Sequence, residues 1–177
     1  KFNREPHKLL TQRYTTNEEA YRLYLLGTAL ADKRHQEEVR KAVAYFKQAI
    51  LLDPNYALAY AGLANAHAGM ALNRSGDNHE QYAKAKAAIE KALAIDETVA
   101  EAHSYLGEIK TNYDWDFAGA EREHKRAIEL NPNSSAAHRM YALMLGFLGR
   151  SDESIAEIKT AIDLEPASVL NHYIYGQ

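Results

Sequence analysis

The chain contains no cysteine, so it has no disulfide frame and no thiolate chemistry, and its redox compartment stays open. Charge of a single sign is also missing: the net charge is -3 with 25% charged residues. A nucleic-acid binder would show a basic stripe and an acidic tail a charge block, and neither is present. No run approaches the ~18 apolar residues of a membrane span, and no signal peptide is visible. There is no glycine-rich phosphate loop. Neither a His-paired nucleophile nor an isolated carboxylate pair in an apolar setting can be read off. These absences point away from an enzyme, from cofactor or metal dependence, and from nucleic-acid or membrane partners for this segment. The chain starts at Lys1 and ends within a predicted helix. That suggests an excised piece of a longer protein, for which missing targeting signals say nothing.

What is present is a core and a repeat. With 177 residues and 46% hydrophobic content, the chain can bury a sizeable interior. AGAEREHKRAIELNPN (118–133) has near-copies in KAVAYFKQAILLDPN (41–55), AKAAIEKALAIDE (85–97) and ESIAEIKTAIDLEP (153–166). The residues that close the copies, Pro54, Glu97, Pro132 and Pro166, stand 43, 35 and 34 positions apart in turn. Such a period calls for stacked helical units. Small residues recur at fixed offsets: Gly27, Ala64, Gly107 and Ala142 in each first helix. In each second helix they are Ala42, Ala85, Ala120 and Ser154, then Ala49, Ala92, Ala127 and Ala161. Small side chains let antiparallel helices approach, and larger ones fill the remaining holes. Phe46, Ile89, His124 and Ile158 stand between the small positions, with Leu26, Leu63, Leu106 and Tyr141 before the first.

Caps follow from local chemistry. Thr16 with Glu19, Asp77 with Glu80 and Thr98 with Glu101 have capping-box spacing. Asp114 or Asp116 suits the start of one second helix and Ser151 the start of another. Gly149 suits the left-handed residue after a helix. Asn73, Ser75, Gly76, Asp77 and Asn78 mark an insertion of about nine residues in the second unit.

On these residues the chain resembles the tetratricopeptide repeat family over about residues 17–177. The resemblance implies an all-α fold, a right-handed α-solenoid of antiparallel helix pairs, about four units plus one extra helix. The expected repeats are 17–55, 56–97, 98–132 and 133–166, with a half-repeat at 167–177. Residues 1–15 would be a linker or the tail of a preceding domain. TTNEEAYRLYLLG (15–27), NYALAYAGLA (55–64) and YDWDFAGAEREHKRAIELNPN (113–133) further resemble repeats of bacterial multidomain signalling proteins. There they follow a CadC-type winged-helix regulator, a cyclase or a kinase, often with a TolB-like domain between. A cytoplasmic location is expected, or a periplasmic one if the parent protein has a membrane span upstream.

The resemblance implies a non-catalytic module that binds a protein or peptide on the inner surface lined by the first helices. The residues it puts there are Tyr21, Tyr24, Thr28, Leu58, Asn65, Glu101, Ser104, Glu108, Arg139, Leu143 and Tyr173, with Thr111 on the same register. The family's carboxylate-gripping mode needs Lys, Arg and Asn from three successive first helices. Only Asn65 and Arg139 fit, and Glu101 and Glu108 lie between them. An acidic middle better suits an extended peptide with a basic or hydroxylic centre. The blander reading is ordinary solvated helix surface. Two alternatives stay open. One is a spacer or self-association unit joined through residues 167–177, where Val169, Ile174 and Tyr175 would lack a covering helix. The other is a catalytic domain with an enclosed pocket.

The eight histidines invite a metal reading. His103, His138 and His172 recur one unit apart, about 8–10 Å in a helix stack, whereas zinc needs nitrogens at about 2.0–2.1 Å from one ion. They form a column and are expected to be half-buried packing rings that hydrogen-bond locally. Glu121 and His124 make a single Glu-x-x-His pair, without the second that a di-iron bundle requires. Trp115 is expected to pin a turn, an exposed partner anchor being the rival reading. Lys84, Lys86, Lys91, Arg122, Lys125 and Arg126 alternate with Glu90, Glu121, Glu123 and Glu129, which makes solvated faces and no phosphate track.

Overall fold

A computed structural model describes residues 15–31, 35–72 and 77–175. Residues 1–14 of the predicted 1–15 linker and residues 73–76 of the insertion in the second repeat lie outside the described residues. Every regular element among the described residues is helical, and they divide into two compact units, Lys1–Glu97 and Thr98–Gln177.

In the first unit, α1 (Glu18–Ala31) pairs with α2 (Gln36–Leu52), and α3 (Ala57–Leu72) with α4 (Asn78–Ile95). Helix α3 also packs on α1 and α2. The start of α1 departs from the predicted box. Asn17, a stronger cap than Thr, accepts the Ala20 N–H at 3.0 Å, while Glu19 pairs with Arg22 at 2.6 Å. Asp77 does cap α4, accepting the His79 N–H at 2.9 Å, but Glu80 turns to Lys84 at 2.6 Å instead of closing the box. The small-residue frame sets the packing. A Cβ on Gly27 would stand 2.8 Å from the Phe46 ring, and one on Gly62 would stand 2.5 Å from it. Phe46 is thus clamped between α1 and α3, and only glycine lets both backbones come this close. Leu26, expected among the fillers, is exposed.

In the second unit, α5 (Ala100–Ile109) pairs with α6 (Phe117–Leu130), and α7 (Ser135–Phe147) with α8 (Ser151–Leu164). Helix α7 rests on α5 and α6, and α9 (Val169–Tyr175) closes on α8. Helix α5 runs into a π-helical turn, Lys110–Asp114, that ends at Trp115 with a left-handed φ of 57°. Asp116, not Asp114, then caps α6, accepting the Gly119 N–H at 2.8 Å. The N-cap of α5 is Val99, one residue after the predicted Thr98. Ser151, a predicted cap, is instead the first residue of α8, and Arg150 before it makes no side-chain cap bond. Gly149 has the left-handed φ of 73° expected of it. Its N–H reaches Gly146 O at 3.0 Å, and the Arg150 N–H reaches Leu145 O at 2.9 Å.

The filler positions Phe46, Ile89, His124 and Ile158 are all buried, as are the second-helix alanines at the small positions, Ala42, Ala49, Ala85, Ala92, Ala120, Ala127 and Ala161. At the remaining small position Ser154 donates its hydroxyl to Ala142 O at 2.8 Å. Asn171 on α9 is fully buried where the preceding units carry Ala137 and Ala102. Its amide donates to Ser135 Oγ at 2.9 Å and Ala161 O at 3.0 Å. Ile174 packs against Ala142, Ile158 and Ala161, contrary to its expected exposure, whereas Val169, Tyr173 and Tyr175 are exposed.

Candidate partner-binding site

The expected inner-face residues separate into buried and accessible sets. In the first unit Leu58 is buried, on an alanine-rich helix that is enclosed on most sides. Tyr24 stacks on Phe46 and Tyr56 at centroid distances of 6.0 and 5.4 Å, so its ring serves the core edge. Thr28 donates to Tyr24 O at 3.0 Å. Tyr21 and Asn65 are half-buried. In the second unit Ser104 is buried and Leu143 and Tyr173 are exposed. Arg139 reaches Asn171 Oδ1 at 3.5 Å. Glu101 is half-buried, and burial raises its carboxyl above the usual range.

Helices α5 and α7 bring Glu108 and Leu143 together. With Thr111, Asn112, Met140, Met144, Phe147 and His124 they line a cavity of about 240 Å³. Its apolar wall continues outward. Phe147 packs against Phe117 at 5.8 Å and Trp115 at 6.2 Å, yet Phe147 and Trp115 remain 64% and 65% exposed. The expected pinning role of Trp115 therefore needs correction. Its left-handed backbone after the π-turn puts the ring over Phe147, with most of its surface in solvent. Sequence reasoning placed Thr111 on this face but missed Met140, Met144 and Phe147. The available signal was an apolar Phe147–Leu148 pair directly before the helix-ending Gly149.

The histidines have separate local partners. His103 Nδ1 meets Glu123 at 2.8 Å. His138 meets Glu157 through Nδ1 at 2.6 Å and Pro132 O through Nε2 at 3.0 Å. His172 binds Pro166 O at 2.9 Å but is exposed, unlike the expected half-buried ring. Among the described residues no group of three or more His, Cys, Asp or Glu could hold a metal ion. Glu121 and His124 do not converge. Glu121 accepts from Arg150 at 2.8 Å and Tyr141 at 3.0 Å and pairs with Lys125 at 2.8 Å. The Arg150 guanidinium, then Lys125, hold its carboxyl down to about 2. His124 instead lies under Gly107, where a Cβ would come within 2.8 Å of the ring, and burial lowers its pKa to about 4. No described helix is long and apolar enough to cross a membrane.

Comparison with known proteins agrees with this architecture. Residues 20–56 match the family model described as tetratricopeptide repeat. A search of curated proteins finds no match. Among solved structures, the chain is similar to TTC0263, a thermophilic TPR protein of Thermus thermophilus. That alignment has 19% identity, covers 90% of this chain and 80% of the other, and gives a TM-score of 0.72. It is also similar to MamA 41-end from Desulfovibrio magneticus RS-1, with 18% identity, 86% and 79% coverage and a TM-score of 0.53. A third is YrrB, described as a TPR protein with an unusual peptide-binding site, at 22% identity, 96% and 79% coverage and a TM-score of 0.51. Identities this low speak to fold. Tetratricopeptide folds generally serve as non-catalytic scaffolds for protein–protein interaction. Residues 20–56 thus carry a tetratricopeptide repeat by sequence, and the described helix pairs carry the fold of tetratricopeptide repeat proteins.

Proposed function

We propose that the chain is a protein-interaction module that binds an extended segment of a partner on the α5 and α7 face of its second unit. It would do so within a larger bacterial signalling or regulatory protein. The observation that carries this reading is the apolar cavity beside Leu143 and Phe147, opening next to exposed aromatic rings and edged by Glu108. Exposed apolar surface of this kind marks interaction sites, and the acidic edge favours a basic segment. Selection from a random peptide library against the purified chain tests it. Enriched peptides rich in basic and aromatic residues should protect amides of α5 and α7 from exchange. Protection confined to α6 and α8, or no enrichment, would count against it.

Self-association through residues 167–177 is the second reading, supported by the exposed Val169, Tyr173 and Tyr175 of α9. Sedimentation of the wild type and of Val169→Glu/Tyr173→Glu decides it. A dimer that the substitutions dissociate supports self-association, and a monomeric wild type removes it.

A further inference from the structure

We infer that the cavity between α5, α6 and α7 is the seat of a tyrosine side chain from a partner polypeptide, with the phenol hydroxyl pairing with the buried His124 ring. This rests on the peptide-binding reading and narrows it to one side chain. Four observations lead there.

Size comes first. About 240 Å³ lies below the ~300–1,000 Å³ usual for small-molecule sites, and so suits one large side chain. The walls come second: Met140, Leu143, Met144 and Phe147 offer apolar and thioether contact of the kind that favours an aromatic ring.

The third is the floor. The equivalent fillers in the other units are Phe46, Ile89 and Ile158, all hydrocarbon. Here a histidine lines the cavity, 1% exposed, and its Nδ1 has no hydrogen-bond partner. An unsatisfied buried nitrogen is destabilising, and a hydrocarbon at this position would avoid that cost. The ring is neutral because burial lowers its pKa, so one nitrogen donates and the other accepts. A phenol hydroxyl does both and satisfies either tautomer. Phe, Leu and Met offer neither, Trp only donates, and Lys would have to be desolvated as a cation.

The fourth is the surround. Glu101 and Glu108 share a face of α5, while Trp115 and Phe147 extend the apolar surface outward. Basic residues flanking the tyrosine meet acid there. The larger cavity on α6 and α8, about 420 Å³ and rimmed by Lys125, Glu129, Glu153 and Glu157, has no orphaned polar atom at its walls among the described residues.

The probe is p-cresol, the tyrosine side chain alone, with toluene as its hydroxyl-free counterpart. Both are titrated into chain labelled with ¹³C on the methionine methyls. Of the three methionines, Met140 and Met144 line the cavity, and Met70 in the first unit is the internal control. The expected result is saturable shifts of Met140 and Met144 with Met70 unmoved, p-cresol binding tighter than toluene. In His124→Phe the p-cresol affinity should drop about tenfold, as loss of one buried hydrogen bond predicts. Toluene binding should be kept there. Equal affinities of the two probes for the wild type would overturn the assignment without any variant. So would unmoved Met140 and Met144 methyls, or p-cresol affinity unchanged in His124→Phe. Peptides that bind the chain while p-cresol does not would sink the tyrosine seat and leave the wider reading standing. A working p-cresol site on a chain that selects no peptide would sink the wider reading, and the seat for a partner's tyrosine with it.

Discussion

His124 shows how one residue can satisfy the packing rule and violate the polar one. Its ring fills the hole beside Gly107 as Phe46 fills the hole beside Gly27, and that much is legible from the repeat frame. The orphaned Nδ1 is not legible, because it depends on which atoms of α5 and α7 close over the ring. His124→Phe should therefore stabilise the second unit by about 1–3 kcal/mol at pH 7, read by urea unfolding with the single tryptophan, Trp115, as reporter. The pH dependence has a definite sign. The folded pKa is lowered from 6.5 to about 4 by burial, so the wild type keeps this stability above pH 6.5. It loses it as pH falls toward 4, because the unfolded chain takes up the proton first. The variant lacks that loss, and its advantage should widen by on the order of 3 kcal/mol over the interval. Glu121 behaves in the same direction at lower pH. Its carboxyl, held near 2 by Arg150 and Lys125, contributes stability present above about pH 4.5 and lost as pH falls toward 2. Glu121→Gln should cost about 1 kcal/mol at pH 7, after allowance for solvent screening. Its unfolding curve should merge with that of the wild type under acid.

At the scale of elements, helix existence and pairing follow from the period of small residues, while helix ends follow from contests the sequence does not decide. Thr15, Thr16 and Asn17 are all competent caps, and only the backbone geometry selects Asn17. At Asp114-Trp115-Asp116 the π-turn adds a residue to the exit of α5, which shifts the cap to Asp116 and exposes Trp115. Gly149 is the opposite case, since a φ of 73° needs a residue without a Cβ. Gly149→Ala should cost about 1–2 kcal/mol of second-unit stability, visible as a lower urea midpoint at unchanged slope. An unchanged midpoint would mean that the α7–α8 turn relaxes into another conformation. Phe46, clamped between Gly27 and Gly62, is the corresponding keystone of the first unit. Phe46→Ala should cost about 3–5 kcal/mol, read as lost helical circular dichroism on mild heating.

For the whole molecule, the repeat makes the fold class readable in the sequence, because spacing alone dictates which faces must pack. The binding surface was readable only in part. A positional rule that treats every first helix alike named Glu108 and Leu143, which do line the cavity, and also Leu58 and Ser104, which are buried. The rule fails at Leu58 because α3 is alanine-rich and enclosed, a property of its neighbours and not of its own register. The direct measurement is calorimetric titration of a library-selected peptide into three chains: wild type, Leu143→Asp and Ile155→Asp. Leu143 and Ile155 are both exposed, on α7 and α8 respectively, so neither charge should unfold the chain. The expected result is at least a tenfold loss of affinity for Leu143→Asp, as burial of an unpaired charge requires, and wild-type affinity for Ile155→Asp. Unchanged binding by Leu143→Asp, with loss at Ile155→Asp, would contradict it.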